Sequence, residues 1–222
     1  KQLIEEDAKS AEIIRPILRG RDIKKYGNDF ANLWLINTHN GIKERGIKPI
    51  NIEDYPAIKK HLDNYYEQLS ARADKGDTPY NLRNCAYMED FFRPKIIYPE
   101  ITKFLNFYYD EQEFLANNKC FILTGENIYF LIAFLNSSLF KYCFKDDFPE
   151  LLGGTRELRK VFLEKIPVLK VNSNVNSKLK YLVEKVQSQA SKSIEIEIDN
   201  ILFDLYDLTT EERKEIGFIE IR

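Results

Sequence analysis

Residues 91–140 read FFRPKIIYPEITKFLNFYYDEQEFLANNKCFILTGENIYFLIAFLNSSLF, and this stretch decides the fold. Residues 95–98 are a short β-branched and aromatic run between Pro94 and Pro99, positions where a strand can begin or end but not continue through the middle of a sheet. That predicts one short buried strand. Residues 105–109 and 120–123 are two further strand candidates, joined by the acidic and amide-rich turn 110–118. Thr124 and Gly125 end the sheet portion, and residues 128–135 are apolar on every side, so a helix there is buried all round. The expected core is a small sheet closed by one hydrophobic helix.

Working outward, 222 residues with 44% hydrophobic content suffice for one domain of ordinary size plus a smaller appendage. The chain starts at Lys1 and its only methionine is Met88, which is expected of a piece of a longer protein. No signal peptide is recognisable, and the longest apolar run is too short to span a bilayer, so no membrane partner is expected. Cys85, Cys120 and Cys143 share no metal-ligand spacing, and only His39 and His61 are present, which argues against a zinc site and for reduced thiols in a cytoplasmic protein. The net charge of -2 conceals an asymmetry: residues 9–25 carry six basic against two acidic side chains and residues 156–170 five against two, whereas residues 195–222 carry nine acidic against three basic. A basic cleft attached to an acidic tail fits this separation.

Residues 13–25, IIRPILRGRDIKK, hold Pro16 and Gly20 close together, predicting an extended segment followed by a turn. Arg15, Arg19 and Arg21 there are either phosphate contacts or a solvated basic surface. Residues 33–37 read as a strand with Trp34 in the core. Residues 54–73 read as one helix with Pro56 in its first turn and Ile58, Leu62, Tyr65, Leu69 and Ala73 on one face. The following 72–84, RADKGDTPYNLRN, has no apolar period and is a surface loop that carries two Arg, two Asn and one Tyr. Such side chains can read DNA: Arg pairs with guanine edges, Asn with adenine edges, and Tyr packs on a sugar or base. An ordinary connector is the competing reading.

In residues 146–171, Gly153 and Gly154 allow a tight turn and Thr155 is placed to cap a short helix with Leu158 and Phe162 inward. The polar stretch 171–177 is the expected domain boundary. Beyond it Val175, Leu179, Leu182 and Val186 follow the spacing of a helix that packs on another helix, Ile198, Ile201, Leu202 and Leu205 continue the pattern, and Thr209 with Glu212 spells a capping box.

Several of these stretches resemble one family. RPKIIYPEI followed by the aromatic helix ending in LNS at 135–137, IRPILRGRDIKKY near the start, YPAIKKHLDNYYEQLSAR in the long helix, the glycine turn before an IPV segment, and the ending IDNILFDLYDLTTEERKEI are similar to the C-terminal specificity domain of adenine-specific DNA methyltransferases, the TaqI-like kind found in type IIG restriction-modification enzymes. The resemblance implies a mixed α/β (α+β) target recognition domain over residues 1–171, with a small mixed sheet, followed by a helical spacer and acidic tail over 172–222. It implies double-stranded DNA and the methyltransferase domain of the same polypeptide as partners. S-adenosylmethionine, with or without Mg2+ for a nuclease, is expected for the parent and no cofactor for this fragment. The candidate DNA-binding residues are Arg19, Arg72, Tyr80, Asn81, Arg83, Asn84, Lys95, Thr155, Arg156, Arg159 and Lys160, the last three forming a phosphate clamp with the free N–H groups of a helix start.

Catalytic residues are not expected. An adenine methyltransferase needs a glycine-rich cofactor loop and an [Asn/Asp/Ser]-Pro-Pro-Tyr motif for the flipped base, and Thr78-Pro79-Tyr80 has one proline too few. Glu212-Arg213-Lys214 lies in a charged helix without the partner Asp a nuclease requires. The alternative function is a protein-interaction domain that docks through its helical tail.

Overall fold

The computed structural model describes residues 1–220. The chain forms two compact units, one from Lys1–Ile17 with Asn32–Glu89 and one from Leu18–Ala31 with Asp90–Arg222. The division follows contacts. The stretch 171–177, expected to separate two domains, lies within the second unit, where helix Ser173–Ser188 buries Leu179, Leu182, Val183 and Val186 in the same core as helix Ile128–Leu135.

In the second unit strand Lys95–Pro99 is central and wholly buried, with Tyr108–Asp110 and Cys120–Leu123 antiparallel on its two sides. Alternation along it assigns each side chain: Ile96 and Tyr98 enter the large aromatic core, while Ile97 enters a smaller one with Leu18, Ile23, Tyr108 and Phe114. Leu105 does not extend the neighbouring strand, because its φ of 50° is left-handed. Asn136 instead takes both peptide groups of Phe107, donating to its carbonyl at 2.9 Å and accepting from its N–H at 3.2 Å. Helix Ile128–Leu135 is buried as its composition demands, with Phe134 against Phe140, Phe144 and Tyr206. Helices Lys192–Leu205 and Thr210–Ile216 complete the unit, and Thr209 with Glu212 forms the anticipated capping box.

Two expectations for residues 153–168 change. Gly153 and Gly154, with φ of 78° and 73°, reverse the chain so sharply that Thr155 pairs across from Leu151, making strand Thr155–Glu157 rather than a helix start. The helix is shorter and later, Lys160–Leu163, and the IPV segment forms no strand.

In the first unit strands Ile14–Leu18 and Trp34–Ile36 pair antiparallel with Ile14 opposite Ile36, above a small core of Ile13, Ile52, Tyr55 and Ile58. The expected single helix is two, Pro56–Asp63 and Tyr66–Ala71. The Asn64 side chain donates to the carbonyls of Lys60 and His61 and Tyr65 leaves the helical region, which closes the first helix and turns Tyr65 to solvent. Trp34 is not in the core. It is 55% exposed and its N–H donates to Asn32.

Candidate nucleic-acid interface

The loop 72–84 is held by polar groups of residues 38–40 of its own unit. Asn40 donates to Asp77 and Asn84 and accepts the Asp77 N–H at 2.7 Å, so one side chain ties three points. Thr38 donates its hydroxyl to the Tyr80 carbonyl, and its own carbonyl accepts the Leu82 N–H at 2.8 Å. Gly76 is required where the loop meets Asn40: a Cβ there would collide with the Asn40 amide and lie 2.6 Å from the Leu82 carbonyl.

This framework sorts the predicted residues. Asn81 is 2% exposed, donating to the carbonyls of His39 and Ile50 and accepting from Thr78, so it shapes the loop and presents nothing to a base. Arg72 donates to the carbonyls of Pro79 and Asn81, a staple across the loop's ends. Tyr80 donates to Asp63 at 2.5 Å, and that hydrogen bond to a carboxylate pushes its phenol up to about 12. Its ring packs against Tyr66, so it is not a free stacking platform. Arg83 and Asn84 remain exposed. Asn84 uses its side-chain carbonyl for Asn40, and no ion pair of Arg83 with Glu89 or Asp90 forms among the described residues, Glu89 pairing with Arg45 and Asp90 with Arg93.

In the second unit Lys95 is fully buried on Asp110 at 2.5 Å and on the Phe91 carbonyl, and cannot meet a ligand. Asp110 also caps the turn after its strand by accepting the N–H groups of Gln112 and Phe114. Arg156 is buried too, bonded to the Phe148 carbonyl, Asp146 and Glu150, and braces the glycine hairpin. Arg19 makes a two-point pair with Asp22, whose carboxyl is held below its usual range by that contact. Arg159 reaches Glu157 at 2.9 Å with its side chain 56% exposed, Lys160 is 82% exposed with Glu164 at 3.9 Å, and Thr155 bonds the Leu152 carbonyl. Since helix Lys160–Leu163 has a single turn, the clamp of free N–H groups at a helix start does not form as expected.

Sequence reasoning passed over Asn40 and Leu152. Asn40 carries no local signal, because its partners lie 37 and 44 residues away. Leu152 did carry one, an aliphatic residue placed directly before two turn glycines. Among the described residues no three His, Cys, Asp or Glu side chains gather as metal ligands do, and no helix is long and apolar enough to cross a membrane.

Residues 15–168 match the TaqI-like C-terminal specificity domain. The chain belongs to that family. The matched residues contain both segments just described, the pinned loop and the glycine hairpin. The specificity domain is also similar in fold to part of the type IIL restriction-modification enzyme MmeI, solved in complex with DNA, at a TM-score of 0.63 and 12% identity. The likeness covers 94% of this chain and 30% of that one, so the chain spans about a third of that relative.

Proposed function

We propose that this chain is the DNA sequence-reading module of a restriction-modification polypeptide, with chemistry performed by other parts of that polypeptide. The observation that carries the reading is membership of the TaqI-like specificity family over residues 15–168, supported by fold likeness to an enzyme solved with DNA. Arg83 and Asn84, exposed on a loop whose backbone is fixed from beneath, supply base readout; Arg159, Lys160 and Thr155 supply backbone contacts. The parent transfers a methyl group from S-adenosylmethionine to adenine, with or without an Mg2+-dependent nuclease, and its methyltransferase domain is this module's intramolecular partner. Cofactor and metal belong to those domains.

Docking through the helical tail loses its main support, because the apolar seam of helix Ser173–Ser188 is buried in its own unit. Binding of labelled duplexes at two salt concentrations tests the proposal. Affinity falls steeply with salt, and Lys160→Ala makes that dependence shallower by about one unit of slope while weakening all sequences alike. A salt-independent signal would refute DNA binding, and methylome sequencing of cells carrying the parent gene would show whether adenine is the methylated base.

A further inference from the structure

The hairpin between strands Glu150–Leu151 and Thr155–Glu157 ends in an aliphatic side chain for which folding has no use. Leu152 is 98% exposed, whereas the next most exposed large hydrophobic residue, Tyr87, is 58% exposed. Its backbone is nevertheless fixed. The Leu152 carbonyl accepts the Thr155 hydroxyl at 3.1 Å, the strands pair at Glu150–Arg156 and Leu151–Thr155, and buried Arg156 ties the hairpin base to the Phe148 carbonyl. Beside Leu152 the tip is narrow: Gly153 and Gly154 bear no side chains, and a Cβ on either would meet nothing within 4 Å. An apolar probe therefore stands at the end of a braced two-stranded ribbon, with open space around it.

The dimensions select what such a ribbon can enter. The major groove of B-DNA, about 12 Å wide, admits a two-stranded ribbon as it stands, whereas the minor groove, about 6 Å wide, takes one only when the duplex is kinked and opened. On the major-groove floor the apolar group is the thymine C5-methyl. At the hairpin base Arg156 pairs with both Asp146 and Glu150; beyond the second strand Arg159 reaches Glu157 at 2.9 Å and Lys160, 82% exposed, has Glu164 at 3.9 Å. We propose that Leu152 leads the hairpin into the major groove and reads a thymine methyl of the recognised site. The inference rests on the DNA-reading function proposed above and adds to it a specificity-determining residue that makes no hydrogen bond through its side chain.

The test uses the 222-residue chain and a duplex site that the wild-type chain selects from a random-sequence library. In synthetic copies of that site each thymine is replaced in turn by deoxyuridine, which lacks only the methyl group. One replacement weakens wild-type binding about fourfold, as expected for one buried methyl. Leu152→Ala weakens the thymine duplex about tenfold, is indifferent to that same replacement, and melts at the wild-type temperature. A selected site without thymine, a wild type blind to every replacement, or a Leu152→Ala chain that binds as well as wild type overturns the proposal, the last pointing to another protein surface as the tip's partner. A rise in 2-aminopurine fluorescence on binding that is lost in Leu152→Ala would show a wedge between bases and also overturn the methyl contact. Should the wild type select no site at all, the DNA-reading function itself fails, which is a distinct result.

Discussion

The two units solve the problem of fixing a loop in opposite ways. In the second, a large aromatic core backs a three-stranded sheet, and the charged pair of Lys95 with Asp110 on that sheet is sealed completely. In the first, four buried side chains make the centre of the core, and the loop 72–84 is held by Asn40, Asn81, Thr38 and Arg72 through hydrogen bonds. Apolar packing tolerates variation of shape at constant volume, whereas a buried amide network fails when one member is removed. The first unit thus presents exposed Arg83 and Asn84 on a backbone set by polar contacts, and the second presents Leu152 on a backbone set by strand pairing and Arg156.

The largest effect should come from the sealed pair. Asp110→Ala leaves the Lys95 ammonium buried without its partner and strips the acceptor from two backbone N–H groups, which costs about 3–5 kcal/mol in urea unfolding. Lys95→Met combined with Asp110→Leu should recover much of that loss, since the buried charge is then gone. A double variant as unstable as Asp110→Ala would show that the turn bonds of Asp110, rather than the charge pair, hold this edge of the sheet.

In the first unit the corresponding variant is Asn40→Ala, which removes three hydrogen bonds at once and should cost on the order of 2 kcal/mol. The contrast with the second unit is sharpened by where the loss appears. Hydrogen exchange should rise at Gly76, Asp77 and Asn81 and stay unchanged along strand Lys95–Pro99. Uniform exchange throughout the chain would mean that the two units unfold together.

A smaller, pH-dependent effect is expected at Asp22. Arg19 holds the folded-state pKa of this carboxyl below its ordinary 3.8, so the pair's contribution is fully present above that value and disappears as pH falls through the lower folded value. Asp22→Asn should therefore lower the melting temperature by more at pH 7 than at pH 2. Equal shifts at both pH values would assign the effect to the geometry of the substituted amide rather than to the charge of Asp22.

What could be read from the sequence follows the same division. Strand Lys95–Pro99, strand Cys120–Leu123, helix Ile128–Leu135 and the seam of helix Ser173–Ser188 all announce themselves by hydrophobic period, because their burial is what folds them. The break at Asn64 and the exposure of Trp34 do not. The break is closed by the Asn64 side chain, and Trp34 in its exposed position donates to Asn32, bonds that a hydropathy pattern does not record. For the candidate site the chemistry of loop 72–84 was legible but its division of labour was not: Arg72 and Arg83 are the same residue type in the same loop, and only the carbonyls that converge on Arg72 separate a staple from an exposed side chain. Lys95 and Arg156 likewise read as cations for phosphate until their buried partners, Asp110, Asp146 and Glu150, are placed beside them.

The smallest effect on stability, and the most direct on function, separates those two arginines. Arg83→Ala should change stability by less than about 0.5 kcal/mol, since its exposed side chain packs on no core. On the cognate duplex it should cost about 1–3 kcal/mol of binding and relax the preference at one base pair, as losing a two-point guanine contact does. Arg72→Ala should do the reverse in kind. Removal of its bonds to the Pro79 and Asn81 carbonyls loosens the loop, lowering the melting temperature and weakening binding at every position the loop reads without relaxing any one of them. Measuring both variants against the cognate duplex and all single-base-pair changes, beside their melting curves, decides the matter. If Arg83→Ala keeps the wild-type ranking of those duplexes, the exposed arginine of the pinned loop is not the reader. The polar framework beneath it would then serve to hold Asn84, whose side-chain amide is the remaining base-reading group in this segment.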